Sequence, residues 1–348
     1  MTEREALLIL NAVPNLDAVR IRKLIKNYGS AAQALEACEN IIHFPKDKFL
    51  QDEYNLMQRS GVTAMTAADG HWPCSFKNFE DAPLVLYVKG DTACLAEMSL
   101  AVVGSRAASF YGRAAAKKFA QAFVRAGITV VSGLARGIDT AAHQGALEAG
   151  GRTVAVIGCG FSHMYPKENL ALMEAISRQG AVVSEFAFSM PPLKYNFPWR
   201  NRIISALARA TVVIEAGRKS GALITADYAL AQNKDVFVLP SNIDNETALG
   251  SNQLIQDGAR VALSPDDIMS QIRENYVPGV PQAASLLLLS DEQAKIYPYI
   301  TYQPVHLEEL ARQSGMHITS LMNITLSLEL KRAIRQLPGQ YYVRNENA

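Results

Sequence analysis

Residues 99–132 read SLAVVGSRAASFYGRAAAKKFAQAFVRAGITVVS. SLAVV is a short apolar run with no polar alternation, and it ends at Gly104. A helical period follows from Tyr111 to Ala126, and a second apolar run spans Ile128 to Ser132. Strand, helix, strand in this form is a βαβ unit whose strands are covered on both faces. The pattern repeats downstream: helices are expected at Asp139–Ala149, Asn169–Gln179, Arg200–Ala208 and Ala222–Gln232. The intervening strands are expected at Thr153–Ile157, Ala181–Ser184, Thr211–Ile214 and Val236–Leu239. The fold class is therefore α/β, a Rossmann-like, predominantly parallel sheet covered by helices. Ligands of such sheets bind beyond the carboxyl ends of the strands.

Working outward, residues 1–65 read as a helical domain. Glu3–Leu10, Val19–Tyr28 and a helix capped by Ser30 resemble a helix-hairpin-helix or SAM-like unit, although VPNLDA lacks the usual hairpin glycines. The extended Rossmann-like domain is placed at 66–272, opening with the strand-like LVLYVKG. Residues 273–285, RENYVPGVPQAAS, form the expected linker. Residues 286–348 then give helices Leu307–Ser314 and Ser320–Leu330 and the turn and strand of LPGQYYVR, a winged-helix-like layout. That domain suits either duplex DNA or a protein contact.

The 348 residues are 49% hydrophobic and carry a net charge of +1, which excludes a disordered chain or a basic tail protein. The charge is unevenly distributed: −3 over residues 1–98, +6 over 99–260 and −2 over 261–348. A basic groove within the sheet domain is compatible with a near-neutral whole. Cys38, Cys74, Cys94 and Cys159 form no CxxC pair, so neither a disulfide framework nor a zinc site is expected. No signal pattern and no long apolar span is present, which points to a cytoplasmic protein without membrane insertion.

Five strand-end loops are rich in Gly, Arg, Lys or Ser. Gly104, Ser105 and Arg106 follow the first strand, as an ordinary turn or as a phosphate clamp. Ser132, Gly133, Arg136 and Gly137 in SGLARGID form a candidate anion nest. Asp139 suits a helix cap; a hydrolase would recruit it with Ser132 and His143. Gly158 and Gly160 permit close backbone approach, and Phe161, Tyr165 and Lys167 offer rings beside a cation, as packing or for base stacking. Arg200, Asn201 and Arg202 stand at an expected helix start, where two arginines imply a nearby anion or acidic partner. Lys219 lies in EAGRKSG with Arg218, Ser220 and Gly221. Neither GxGxxG nor a Walker motif occurs. So many loops suit a groove following several phosphates better than one small-molecule pocket.

GSR, SGLARGID, AVIGCG with YPKEN, FPWRNRIIS, KSGALITADYAL and GSNQLIQDGA, in this order, resemble the DNA-processing protein DprA (Smf) family over most of residues 70–270. The resemblance implies a non-catalytic protein that binds and protects single-stranded DNA and helps load RecA in natural transformation and recombination. It implies displacement of single-strand-binding protein, a homodimer, and no cofactor, metal or catalytic residue. By motif, the family's phosphate-binding arginine corresponds to Arg106, its pocket lysine to Lys167 and its FPxRNR arginine to Arg200, with Phe161 near a stacking ring. SNIDNETALG departs from the family's Pro-Gly and Ser-Gly-rich segment and leaves the geometry after Leu239 open. Two rivals stand beside this reading. One is a nucleotide-processing hydrolase, whose PGGxGTxxE loop is missing here; the other is a regulator acting on duplex DNA through the winged helix.

Overall fold

The computed structural model describes residues 1–38, 44–77, 79–272, 290–331 and 333–344. Two units result, Met1–Tyr276 and Val277–Ala348. The expected linker 273–285 lies outside the described residues.

The first unit opens with helices α1 (Glu3–Ala12), α2 (Ala18–Tyr28), α3 (Ala31–Ala37) and α4 (Lys46–Ser60), followed by strands β1 (Val62–Thr66) and β2 (Val85–Gly90). The α/β alternation then runs β3 (Ser99–Val103), α5 (Phe110–Arg125), β4 (Thr129–Ser132), α6 (Ile138–Glu148), β5 (Thr153–Ile157), α7 (Leu170–Gln179), β6 (Ala181–Ser184), α8 (Asn196–Leu207), β7 (Ala210–Val213), α9 (Gly221–Ala231) and β8 (Asp235–Val238). Helix α10 (Leu249–Gln256), strand β9 (Arg260–Val261) and helix α11 (Pro265–Ile272) close the unit.

The strand order is β1-β2-β6-β5-β4-β3-β7-β8-β9. Strands β3 to β9 pair in parallel, and β1 and β2 extend the sheet antiparallel. Alternate residues serve two cores. Ala101, Val103, Val131 and Val213 pack under α8 and α9, whereas Leu100, Val102, Val130 and Val212 pack under α5 and α6. Both faces being dry, the strands lack polar alternation. Helix α5 presents Ala116, Phe119, Ala120 and Phe123 to its core at helical spacing. The N-terminal helices are continuous with the sheet: Leu7, Leu8, Ile21 and Leu35 share a core with Val85 and Tyr87 of β2.

One helix start and several elements differ from expectation. Helix α8 begins at Asn196, four residues before Arg200, because Pro198 falls in the first turn, where its missing N–H costs nothing. Helices α4 and α11 had no counterpart in the sequence reading, although Ser264 before Pro265 and two aspartates is a legible start signal.

The second unit contains α12 (Asp291–Ile296), β10 (Val305–His306), α13 (Leu307–Ser314), α14 (Ile318–Leu330), β11 (Ile334–Leu337) and β12 (Tyr341–Arg344). Its sheet order β10-β12-β11 and a core of Ile296, Leu307, Leu310, Leu321, Ile324 and Tyr342 make a winged helix. Gly315 ends α13 in the left-handed region.

Candidate nucleic-acid interface

In the parallel sheet the strand order reverses at β3, which has β4 on one side and β7 on the other. Loops leaving β3 and β7 diverge there and open a crevice at the carboxyl edge. A cavity of about 910 Å3 occupies this position. Gly104, Ser105 and Arg106 line it from the β3 loop, and Lys219, Ser220 and Gly221 from the loop before α9. Tyr165, Lys194, Phe197, Arg200, Asn201 and Thr247 complete most of the wall.

The β3 loop is anchored from beneath. Glu215, buried at the end of β7, accepts hydrogen bonds from the backbone N–H of Ser109 (2.9 Å), its hydroxyl, and the Thr247 hydroxyl (2.6 Å). Ser109 also caps α5. This carboxylate occupies the positive end of α5, so the loop presents side chains to a ligand rather than a free helix terminus. Gly137 completes the arrangement: at φ +76° it lies so close to Ser105 that a Cβ would come within 2.2 Å of that carbonyl.

Arg106 is exposed and its guanidinium stands 5.5 Å from the centre of the Phe197 ring. No carboxylate lies within ion-pair distance of it among the described residues. Tyr165 packs beside Phe197 with ring centres 5.5 Å apart, leaving its own ring 41% exposed. Arg106, Lys194 and Lys219 thus ring a cavity floored by aromatics. Arg136 lines an adjoining 220 Å3 cavity and pairs with Glu168. Lys167 is exposed on the same stretch of chain as Tyr165 but lines neither cavity.

Several of the residues expected at the interface have partners within the protein. Arg202 has no exposure: it pairs with Glu185 and Asp81 and stacks 4.2 Å from the Trp199 ring centre. Arg200 borders both cavities and donates through Nη1 to the carbonyls of Gly133 (2.7 Å) and Val156 and through Nε to Asn201 Oδ1 (3.1 Å). Asn201 donates to Gly221 O. The acidic partners of Arg202 belong to this chain, and the helix start lies a turn upstream. Phe161, half-buried, packs against Phe188 at 5.8 Å on the border of the N-terminal core. The space beside Gly133 is filled by Arg200 and Asp139, beside Gly158 by Phe197, and beside Gly160 by the carbonyls of Ala187 and Phe188. These glycines let protein segments approach one another. Ser132 is buried and donates to Val102 O at 2.6 Å.

The hydrolase triad is not assembled. His143 Nδ1 meets the Thr153 hydroxyl at 2.7 Å, and that hydroxyl donates to Val130 O. The imidazole is therefore the donor, and burial with Arg200 nearby lowers its pKa to about 3. Burial raises the Asp139 carboxyl to about 6 against the pull of Arg200; burial also lowers Arg200 to about 10, so it remains cationic at neutral pH. Among the described residues no group of three His, Cys, Asp or Glu is placed to hold a metal ion, and no helix is long and apolar enough to cross a membrane.

The DNA recombination-mediator protein A family profile matches residues 63–273, and the DprA winged helix domain matches 280–340. The chain belongs to the DprA family. It is 33% identical to Protein Smf of Escherichia coli over 316 residues, covering 88% of this chain and 84% of that protein. It is 38% identical to DNA processing protein DprA of Streptococcus pneumoniae over 238 residues, covering 68% and 84%. The crystal structure of the pneumococcal DprA superposes with a TM-score of 0.68 at 33% identity, over 79% of this chain and 99% of that one. A structure of DNA processing protein A from Helicobacter pylori, described for its single-stranded DNA binding mode, gives 0.56 at 28% identity, over 62% and 97%. Membership in the DprA family makes this a DNA-processing protein of Rossmann-like and winged-helix architecture.

The sequence reading missed Phe197, Lys194 and Thr247 as cavity residues. Phe197 precedes the proline that displaced the expected helix start. Thr247 lies in SNIDNETALG, the segment that departs from the family pattern, and its link to Glu215 brings that segment to the site.

Proposed function

We propose that this protein binds single-stranded DNA at the carboxyl edge of its sheet without catalysing a reaction, protects the strand and passes it to RecA. The observation that carries the reading is the combination of Arg106, without an ion-pair partner among the described residues, and the Phe197 and Tyr165 rings. A cation beside accessible ring faces holds a phosphate and stacks an unpaired base, and a duplex offers no free base to stack. Lys194 and Lys219 extend the positive rim. The sequestered hydrogen bonds of Ser132 and His143 support a binding role over a hydrolytic one. The single-stranded DNA binding mode described for the Helicobacter pylori relative supports the same ligand here. Transfer to RecA, displacement of single-strand-binding protein, homodimerisation and cytoplasmic location follow from the family resemblance and are part of the proposal. A homodimer would offer two cavities to one strand and so raise the effective concentration of each.

Competition between single- and double-stranded oligonucleotides over a salt series tests the reading. Single strands should win, with log affinity falling by about 0.7 per log unit of salt for each phosphate neutralised. Equal binding of duplex, or binding indifferent to salt, would reject it.

A further inference from the structure

The segment joining β1 to β2 carries another cavity, of about 770 Å3, lined in part by Arg22, Trp72, Phe76, Lys77, Phe79 and Glu80. Strand register fixes where it lies. Thr66 pairs with Val85, and Tyr87 of the same strand pairs with Ser184 at the carboxyl end of β6. The segment therefore emerges at the same sheet edge as the first cavity. Helix α8 connects the two: its first turns border the first cavity, Ile203 and Ile204 share a core with Phe76, and Arg202 pairs with Asp81. Tyr195, at the start of α8 and next to the cavity-lining Lys194, is 70% exposed.

The chemistry repeats that of the first cavity. Trp72 and Phe76 have ring centres 5.5 Å apart, and Phe76 and Phe79 6.1 Å, with Trp72 and Phe79 only partly buried. Arg22 reaches in from α2, its Nη2 donating to the Ala82 and Pro83 carbonyls, while its buried Nε–H has no acceptor. Of the nearby acids, Asp69 is engaged by Arg4 at 3.7 Å and Asp81 by Arg202 at 3.8 Å. Asp81 also acts on Arg22, while Lys77 and Glu80 are exposed on the cavity lining.

We propose that a single strand seated in the first cavity continues along the carboxyl edge and stacks a second base on Trp72, with the adjoining phosphate on Arg22 and Lys77. This rests on the single-stranded DNA reading above. Four strand spacings separate β3 from β2, about 20 Å, or about six stacked nucleotides. A short oligonucleotide then fills one station and a long one fills both.

The test uses the full chain with thymidine oligonucleotides of about 5 and about 20 nucleotides. Trp72→Ala should weaken the long oligonucleotide about tenfold, leave the short one unchanged, and be rescued by Trp72→Phe. Trp72 and Trp199 are the only tryptophans in the chain, so in Trp199→Phe the emission of Trp72 reports directly, and the long oligonucleotide should quench it. Undiminished long-strand affinity in Trp72→Ala, or an unquenched Trp72, overturns the second station; a cavity that serves a peptide would give that result. If the Trp72→Ala chain fails to fold, the quenching measurement decides alone. Arg106→Ala should weaken both lengths. A wild-type chain that binds neither length overturns the single-stranded DNA reading itself, a result separable from loss of the second station alone.

Discussion

Two arginines show how burial divides an available cation from a scaffold one. Arg106 is exposed over a ring, whereas Arg202 is sealed between Glu185, Asp81 and Trp199. Arg106→Ala should lower single-strand affinity about tenfold with an unchanged melting temperature. Arg202→Ala strands the buried Glu185 charge and should cost about 3–5 kcal/mol of stability in a denaturant titration. Equal effects of the two on stability would contradict the assignment. His143 and Asp139 couple stability to pH in opposite senses. His143, lowered to about 3, contributes stability that is present above pH 6.5 and is lost as pH falls towards 3, since the unfolded chain takes up the proton first. Asp139, raised to about 6, contributes stability below pH 4 that is lost as pH rises through 6. The histidine shift is the larger, so it should dominate the acid limb. His143→Gln should flatten that limb in urea unfolding between pH 6.5 and 4.5, and an unchanged slope would exclude the buried imidazole as its source.

At the scale of elements, the decisive joint is the Glu215 carboxylate between the β3 loop, the start of α5 and Thr247. Glu215→Ala leaves the Ser109 N–H and hydroxyl without their acceptor, while Thr247 keeps Asn245 Oδ1 at 2.7 Å, and should cost about 2–4 kcal/mol. It should also loosen the loop bearing Arg106, so single-strand affinity falls even in the folded fraction; retained affinity would mean that the loop is held by other contacts. Most elements were legible in the sequence because strand and helix periods are local. Helix α8 was not. Arg200 through Leu207 are buried on every side, so its sequence has no polar stripe from which to read an orientation. Its start was hidden by Pro198, which reads as a boundary and is tolerated in a first turn.

For the whole molecule, the winged helix is the second place to seek DNA contact. Helix α14, the recognition helix of such a unit, contains no Lys or Arg and exposes Ile318, Met322 and Leu326. It carries no cation of its own to set against duplex phosphates. A chain ending at residue 276 should keep its single-strand affinity and salt slope in a binding titration. Loss of all DNA binding on that truncation would instead favour the duplex-binding regulator.

The sequence by itself determined the order of strands and helices, the carboxyl-edge location of the loops and the local +6 charge, since each follows from chain-local pattern and composition. Which cations face solvent at the carboxyl edge was decided only by tertiary structure. Arg106, Arg200 and Arg202 look alike in a motif, but the first meets solvent over Phe197, the second ties strand-end carbonyls together and the third pairs with the buried Glu185 and the half-buried Asp81. A guanidinium takes whatever acceptors packing brings to it, and those acceptors come from residues up to 121 positions away in sequence, as with Asp81 and Arg202.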